Sequence, residues 1–238
     1  MEEHGTWLHW LYYYKYLPEN IPEMVPETIV MVLVLCTLAT VAGARLRTRN
    51  HGRFQAFVEF VVTSFENLVK GIVGEKLVGS LAPVIGSFFL FVLSMNLLGL
   101  IPGFTSPTAN INTAAGLALC AFVMVQYYGF KAHGIRYLKH FLGEPLWLAP
   151  LMLPIHIIGE LARPLSLTIR LFGNIFGEDM VLIILILITK EVIGTFLLPA
   201  QFPMMLFGVF TSFVQALVFS MLVAIYIAVA TEQHEEAH

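Results

Sequence analysis

An arginine set inside an oily run limits what this chain can be. Residues 163–179 read RPLSLTIRLFGNIFGED and lie within an apolar stretch from Trp147 to about Ile188. The ionisable side chains of that stretch are His156, Glu160, Arg163, Arg170, Glu178 and Asp179. Arg170 has LSLTI before it and LF after it. A charge at bilayer depth costs between about 3 and 17 kcal/mol. Arg170 is therefore expected to face protein or water, and it is the candidate functional centre.

The polar residues around it share one helical face. His156, Glu160, Arg163, Ser166, Arg170, Asn174 and Glu178 follow in steps of 4, 3, 3, 4, 4 and 4. That spacing averages close to the roughly 3.6 residues of a helical turn. The other faces carry Ile, Leu and Phe. A polar stripe on an otherwise apolar helix lines a water-filled path or meets another protein.

The 238 residues are 58% hydrophobic and 12% charged, with mean hydropathy +0.79. Several apolar runs reach the about 20 residues that a helix needs to cross a bilayer. Strand-like alternation is weak, which argues against a barrel. The fold class is thus an all-α integral membrane protein, a single membrane domain over 1–238, with about five crossings plus an amphipathic interfacial helix. The net charge of -3 says little about partners, because the acids cluster at the two ends. Cys36 and Cys120 fall in apolar segments and read as buried small hydrophobes. The opening MEEHGTWLHW lacks the basic-then-apolar pattern of a signal peptide.

Taken in order, residues 1–27 are polar, proline-broken and aromatic, which suits an external interfacial segment. A first span covers 28–44. It ends in a cluster of Arg45, Arg47, Arg49 and Arg53, which the positive-inside rule puts in the cytoplasm, leaving the N-terminus outside. Residues 53–79 alternate polar and apolar faces at helical spacing, and Glu66 and Lys70 are placed to pair at i, i+4. Spans follow at 82–101, which contains Asn96, and at 111–130, with PGFTSPTAN as an external loop between them.

Residues 147–188 would extend about 60 Å as one helix, twice the hydrocarbon thickness. Two crossings would leave Lys190 inside and the tail outside. One strongly tilted crossing fits the basic residues better and is preferred. LLPAQFPMM then makes an external turn, 203–230 forms the last long tilted crossing, and 231–238 is a cytoplasmic tail.

No HExxH, GxSxG, P-loop or dinucleotide glycine pattern is present, and the histidines lack metal spacing. No active site, cofactor or metal is expected. Guanidinium keeps its proton at physiological pH, so Arg170 cannot relay protons by titrating. It can act as a fixed cation. At about 4 Å and an effective dielectric near 20 it attracts a carboxylate by about 4 kcal/mol. That biases an acid towards ionisation and is small enough to be broken repeatedly. The plainer readings stand beside this one. Arg170 could be bridged to Glu160 or Glu178, Arg163 could snorkel to the interface, and Asn174 could bond a neighbouring helix. Gln215, beside the small residues Gly208, Thr211 and Ser212, is read as a partner for Arg170.

These residues resemble subunit a of F-type ATP synthases. The motifs that carry the resemblance are RPLSLTIRLFGNIFGED at 163–179, VQALVFSMLVAIYIAVA at 214–230, SMNLLGLIPG at 94–103 and PTANINTA at 107–114. The resemblance implies a stator of proton flow. Two inclined helices would face a ring of c subunits, with two aqueous half-channels ending at different depths beside it. It implies further that b subunits of the peripheral stalk are partners, that the membrane is the bacterial cytoplasmic one, and that the subunit is non-catalytic. Arg170 matches the family's essential arginine, Gln215 its supporting glutamine and Asn174 the asparagine one turn on. Glu178, Asp179, Asn110 and Asn112 are then assigned to the outer half-channel, and His156, Glu160 and Arg163 to the inner one, with Ser166 counted among the ion-translocation residues. The chain departs from many relatives at Asn110, where an acid is usual, at His156, where glutamate is usual, and at Gly208, where some carry histidine. The alternative is a stand-alone transporter with Arg170 as an anion clamp, which inverted repeats would support. None is visible. A purely structural scaffold is the third reading.

Overall fold

The computed structural model describes residues 24–45, 52–101, 104, 106–134, 137, 149–193 and 198–232. Residues 1–23, 138–148 and 233–238, which include the aromatic segment and the tail expected from the sequence, lie outside the described residues. The described chain is helical: α1 Met24–Arg45, α2 Arg53–Val73, α3 Glu75–Leu98, a 3-10 turn Pro107–Ala109, α4 Ile111–His133, α5 Ala149–Ile193 and α6 Leu198–Glu232. Among the described residues three helical stretches are long and apolar enough to cross a membrane: Glu75–Leu98, Ile111–His133 and Phe202–Thr231. The protein is an all-helical membrane protein.

Several sequence expectations shift. The amphipathic stretch does not run to residue 79. It stops at Val73, and Gly74, at φ 80°, turns the chain straight into α3. A side chain there would be strained, which is why glycine makes this corner. The same corner redirects Lys70. Its ammonium bonds Glu75 across the turn at 2.6 Å in place of the expected Glu66. The segment LLPAQFPMM is not an extended turn, because α6 is already helical from Leu198 and carries Pro203 in its interior. Cys36 and Cys120 are free and exposed, on outward faces of their helices that read as apolar surface.

The stretch around Arg170 is one continuous helix of 45 residues. At about 1.5 Å per residue α5 is about 68 Å long and α6 about 52 Å, against a hydrocarbon core of about 30 Å. Either helix must tilt or protrude to fit.

The core sits where α3, α4 and α6 meet. Leu81, Ile85 and Val92 of α3 pack with Phe219, Val223 and Ile227 of α6. Two ring pairs pin this seam: Phe88 to Phe219 at 6.1 Å and Phe89 edge-on to Phe213 at 5.7 Å. On α4 the buried stripe is Ala114, Ala118, Ala121, Val125 and Gly129. Small residues at that spacing let helices approach closely, the usual packing where lipid replaces water. α5 joins this bundle by a narrow stripe of Leu167, Leu171 and Ile175. Its opposite face exposes Ile155, Ile158, Leu165 and Ile169, each more than half exposed. Such a continuous apolar ridge suits a lipid or protein neighbour.

The loop after α3 is knotted by polar bonds. Thr108 Oγ1 donates to Asn96 Oδ1 and lies against Ser106 Oγ, both at 2.7 Å. A Cβ on Gly99 would come within 2.6 Å of that of Ser106, so the loop closes on a glycine. Buried polar groups need such partners.

Candidate functional site

The polar stripe of α5 flanks its buried face: Glu160 and Arg163 reach α4 and α6, Asn174 and Glu178 reach α6, and Ser166 and Asn174 are exposed. Arg170 sits near its middle and is partly buried. Among the described residues it makes no hydrogen bond or ion pair. The two acids that could have neutralised it are engaged elsewhere. Glu160 Oε1 bonds Arg163 Nη1 at 2.7 Å, and its Oε2 accepts from Gln126 Nε2 at 3.0 Å. Glu178 Oε2 accepts from Thr211 Oγ1 at 2.8 Å. The intramolecular bridge considered for Arg170 is therefore absent.

On one side of Arg170, four residues on, Asn174 Nδ2 donates to Gln215 Oε1 at 2.7 Å. The sequence paired Gln215 with Arg170. The structure pairs it with Asn174, because Asn174 meets the buried face of α6 on which Gln215 lies. Gln215 is only 4% exposed, and its Nε2 donor has no partner among the described residues. One turn further on, Glu178 lies against Gly208, where an added Cβ would overlap its carboxylate oxygen. Thus Gly208 makes room for Glu178. Asn174, Gly177, Glu178, Thr211, Val214 and Gln215 line a cleft of about 410 Å³ between α5 and α6. Asp179 is partly buried beside Glu178.

On the other side of Arg170 lies a second polar cluster. Arg163 pairs with Glu160 and stacks its guanidinium over the Tyr226 ring, 5.2 Å from the centroid. It does not snorkel away from the bundle. Tyr137 is buried over Gly129, where a Cβ would meet its ring. Burial, followed by the charge on Glu160, raises the Tyr137 phenol above its ordinary range. His156 is partly buried one turn before Glu160, and Ser166 is exposed.

Asn110 has a local use as well. Asn110 is the N-cap of α4, its side-chain carbonyl accepting from the Asn112 backbone at 2.8 Å. Such a cap contributes about 1 kcal/mol. Sequence reasoning missed Gln126 and Tyr226. Gln126 had a signal: it is a lone amide in the apolar run FVMVQYYGF. Tyr226 had none, since aromatic residues are common at such positions.

A family model described as ATP synthase A chain matches residues 24–228. The chain belongs to that family. A protein named ATP synthase subunit a from Syntrophobacter fumaroxidans is 47% identical over 204 residues, covering 85% of this chain and 82% of its own. The subunit of the same name from Trichlorobacter lovleyi is 47% identical over 210 residues, 88% of this chain and 85% of its own. That from Geobacter sulfurreducens is 46% identical over 211 residues, with coverage of 88% and 85%. The match runs from the start of α1 to residue 228 of α6, so the polar stripe and its two clusters lie within the family's shared region.

Proposed function

We propose that this chain is the proton-translocating stator subunit a of a rotary ATP synthase, with Arg170 as its electrostatic gate. The observation that carries the reading is Arg170 itself, a permanent cation on the polar stripe of a long helix, with the two acids that flank it on that stripe, Glu160 and Glu178, already bonded. A charge left in this state within an apolar helix has a use for a partner on another chain. A carboxylate on a ring of c subunits supplies one. As each ring acid comes alongside, the guanidinium favours its ionised form by about 4 kcal/mol at close approach. The proton leaves, and the next acid must take one up on the other side. The same charge repels protons that would otherwise cross directly between two half-channels. A transmembrane potential supplies about 2.3 kcal/mol per charge per 100 mV to drive the passage.

In this reading the cleft with Asn174, Glu178, Thr211 and Gln215 opens to the outer half-channel, joined by Asp179. His156 and Ser166 border the inner one. The exposed apolar ridge of α5 faces the ring, and the b subunits of the peripheral stalk hold the chain still. The chain has no active site of its own. It sits in the bacterial cytoplasmic membrane with its N-terminus outside and its C-terminus in the cytoplasm, and crosses about five times.

The test is ATP-driven proton pumping in membrane vesicles carrying the assembled complex. Arg170→Ala is expected to abolish it while the complex still assembles. Arg170→Lys is expected to do the same, since lysine keeps the charge and loses the planar fork. Normal coupled pumping in either variant would refute the gate.

A further inference from the structure

The cluster around Glu160 carries a role that path-lining does not describe. α5 packs on α4, α6 and the 3-10 turn, and the residues it buries there are Leu167, Thr168, Leu171 and Ile175. Apolar contact is non-directional and tolerates rotation of a helix about its axis. Hydrogen bonds do not, because they weaken steeply away from linear geometry. On the far side of Arg170 both polar bonds, Asn174 to Gln215 and Glu178 to Thr211, run to α6. Bonds to one neighbour fix a helix along one line and leave it free to roll about that line. A bond to a second neighbour removes the roll.

Glu160 supplies it. Its Oε2 accepts from Gln126 on α4, while its Oε1 holds Arg163 over Tyr226 on α6. Both oxygens are used, and three helices meet at one carboxylate. Arg163 precedes Arg170 by seven residues, about 10.5 Å along the axis and nearly the same face. Any roll at Glu160 and Arg163 is carried to Arg170 by an intact stretch of helix.

We propose that Glu160 is a positioning residue: by strapping α5 to α4 through Gln126 it sets the direction in which Arg170 points. This rests on the reading that Arg170 acts on an acid of another chain. It also takes Glu160 and Arg163 out of the inner proton path, where sequence reasoning had put them.

The experiment uses the whole complex in membrane vesicles, with ATP-driven pumping measured per assembled complex. Gln126→Leu deletes the strap, and Glu160→Gln weakens it by putting a neutral amide acceptor where the carboxylate was. Each is expected to lower pumping at least tenfold, since a 1 Å misplacement of an essential group can cost about a hundredfold. The double variant Gln126→Glu with Glu160→Gln returns one amide and one carboxylate to the junction in exchanged places. It is expected to recover most of the loss, in assembly as well as in pumping. If Glu160 itself carried protons, the double variant would stay as poor as Glu160→Gln alone, which overturns the proposal. Pumping per complex unchanged in both single variants overturns it too, as does failed assembly that the double variant does not repair. Arg170→Ala is run beside them. Were it to pump normally, the gate reading itself would fall, whatever the strap variants do.

Discussion

Arg163 and Arg170 are the same residue on the same face of one helix, two turns apart, and their surroundings are opposites. Arg163 has a carboxylate at 2.7 Å and an aromatic face beneath it. Arg170 has neither, although Glu160 and Glu178 flank it on the same stripe. The difference teaches that helical spacing brings charges onto one face without deciding which of them pair. That choice is made by the neighbouring helices. Gln126 and Tyr226 draw Glu160 and Arg163 together. Thr211 and the space at Gly208 draw Glu178 away. What remains among the described residues is an arginine of the stripe with no ion pair, and this asymmetry is why the proposed gate is placed at Arg170.

The sharpest way to break the comparison is to remove each charge in turn. Arg170→Gln is expected to stop pumping and to leave the thermal stability of the purified complex unchanged or slightly raised, because it deletes an unpaired charge. Arg163→Gln is expected to act the other way round. It strands the Glu160 carboxylate, whose side chain is 15% exposed. Losing the partner of such a group costs about 1–3 kcal/mol, with some of the loss absorbed by solvent. Pumping should fall only partly. Thermal unfolding and vesicle pumping measured on both variants check this. Equal losses of stability in the two would remove the distinction.

Glycines sharpen it at the next level. Gly208→Ala puts a Cβ into the Glu178 carboxylate and close to Leu100. Overpacking of this kind costs about 1–3 kcal/mol. The acid must leave Thr211, so pumping is expected to drop with stability. Gly116→Ala is the counterpart on α4, where an added Cβ meets nothing within 4 Å. Replacing a helical glycine there should raise stability by up to about 1 kcal/mol and leave pumping alone.

Much of this arrangement was legible in the sequence. The 3.6-residue spacing of His156 through Glu178 laid out the stripe, and Arg170 stood out by cost alone. The balance of basic residues only favoured one crossing over two for 147–188, and Pro154 and Pro164 gave no sign that the helix would run on past both. Pairing was not legible, because a list of residues along α5 carries no information about which neighbour each will meet. Gln215 met Asn174 and left Arg170 alone. Asn110 became a helix cap, a local use that Asn shares with any polar role at that position. Cys36 and Cys120 were read as buried because apolar context means burial in water-soluble proteins. In a membrane protein an apolar context is equally the outer surface. The corner at Gly74 was missed because the amphipathic pattern of α2 runs without a break in hydrophobicity into the first residues of α3.

The smallest effect comes from a second ion pair, which tests whether burial or bond length separates the two arginine clusters. Lys70 and Glu75 approach to 2.6 Å, as close as Glu160 and Arg163 at 2.7 Å. Their side chains are 45% and 80% exposed, against 27% and 15% for the inner pair. Water and salt screen an exposed pair, and holding two long side chains together costs entropy that offsets the attraction. The turn at Gly74 brings Lys70 and Glu75 together whether or not they attract. Glu75→Gln is therefore expected to leave thermal unfolding and pumping where they were, at low and at high salt. A loss matching that of Arg163→Gln would mean that contact distance alone sets the strength of these pairs, and the contrast drawn between the surface and the three-helix junction would go with it.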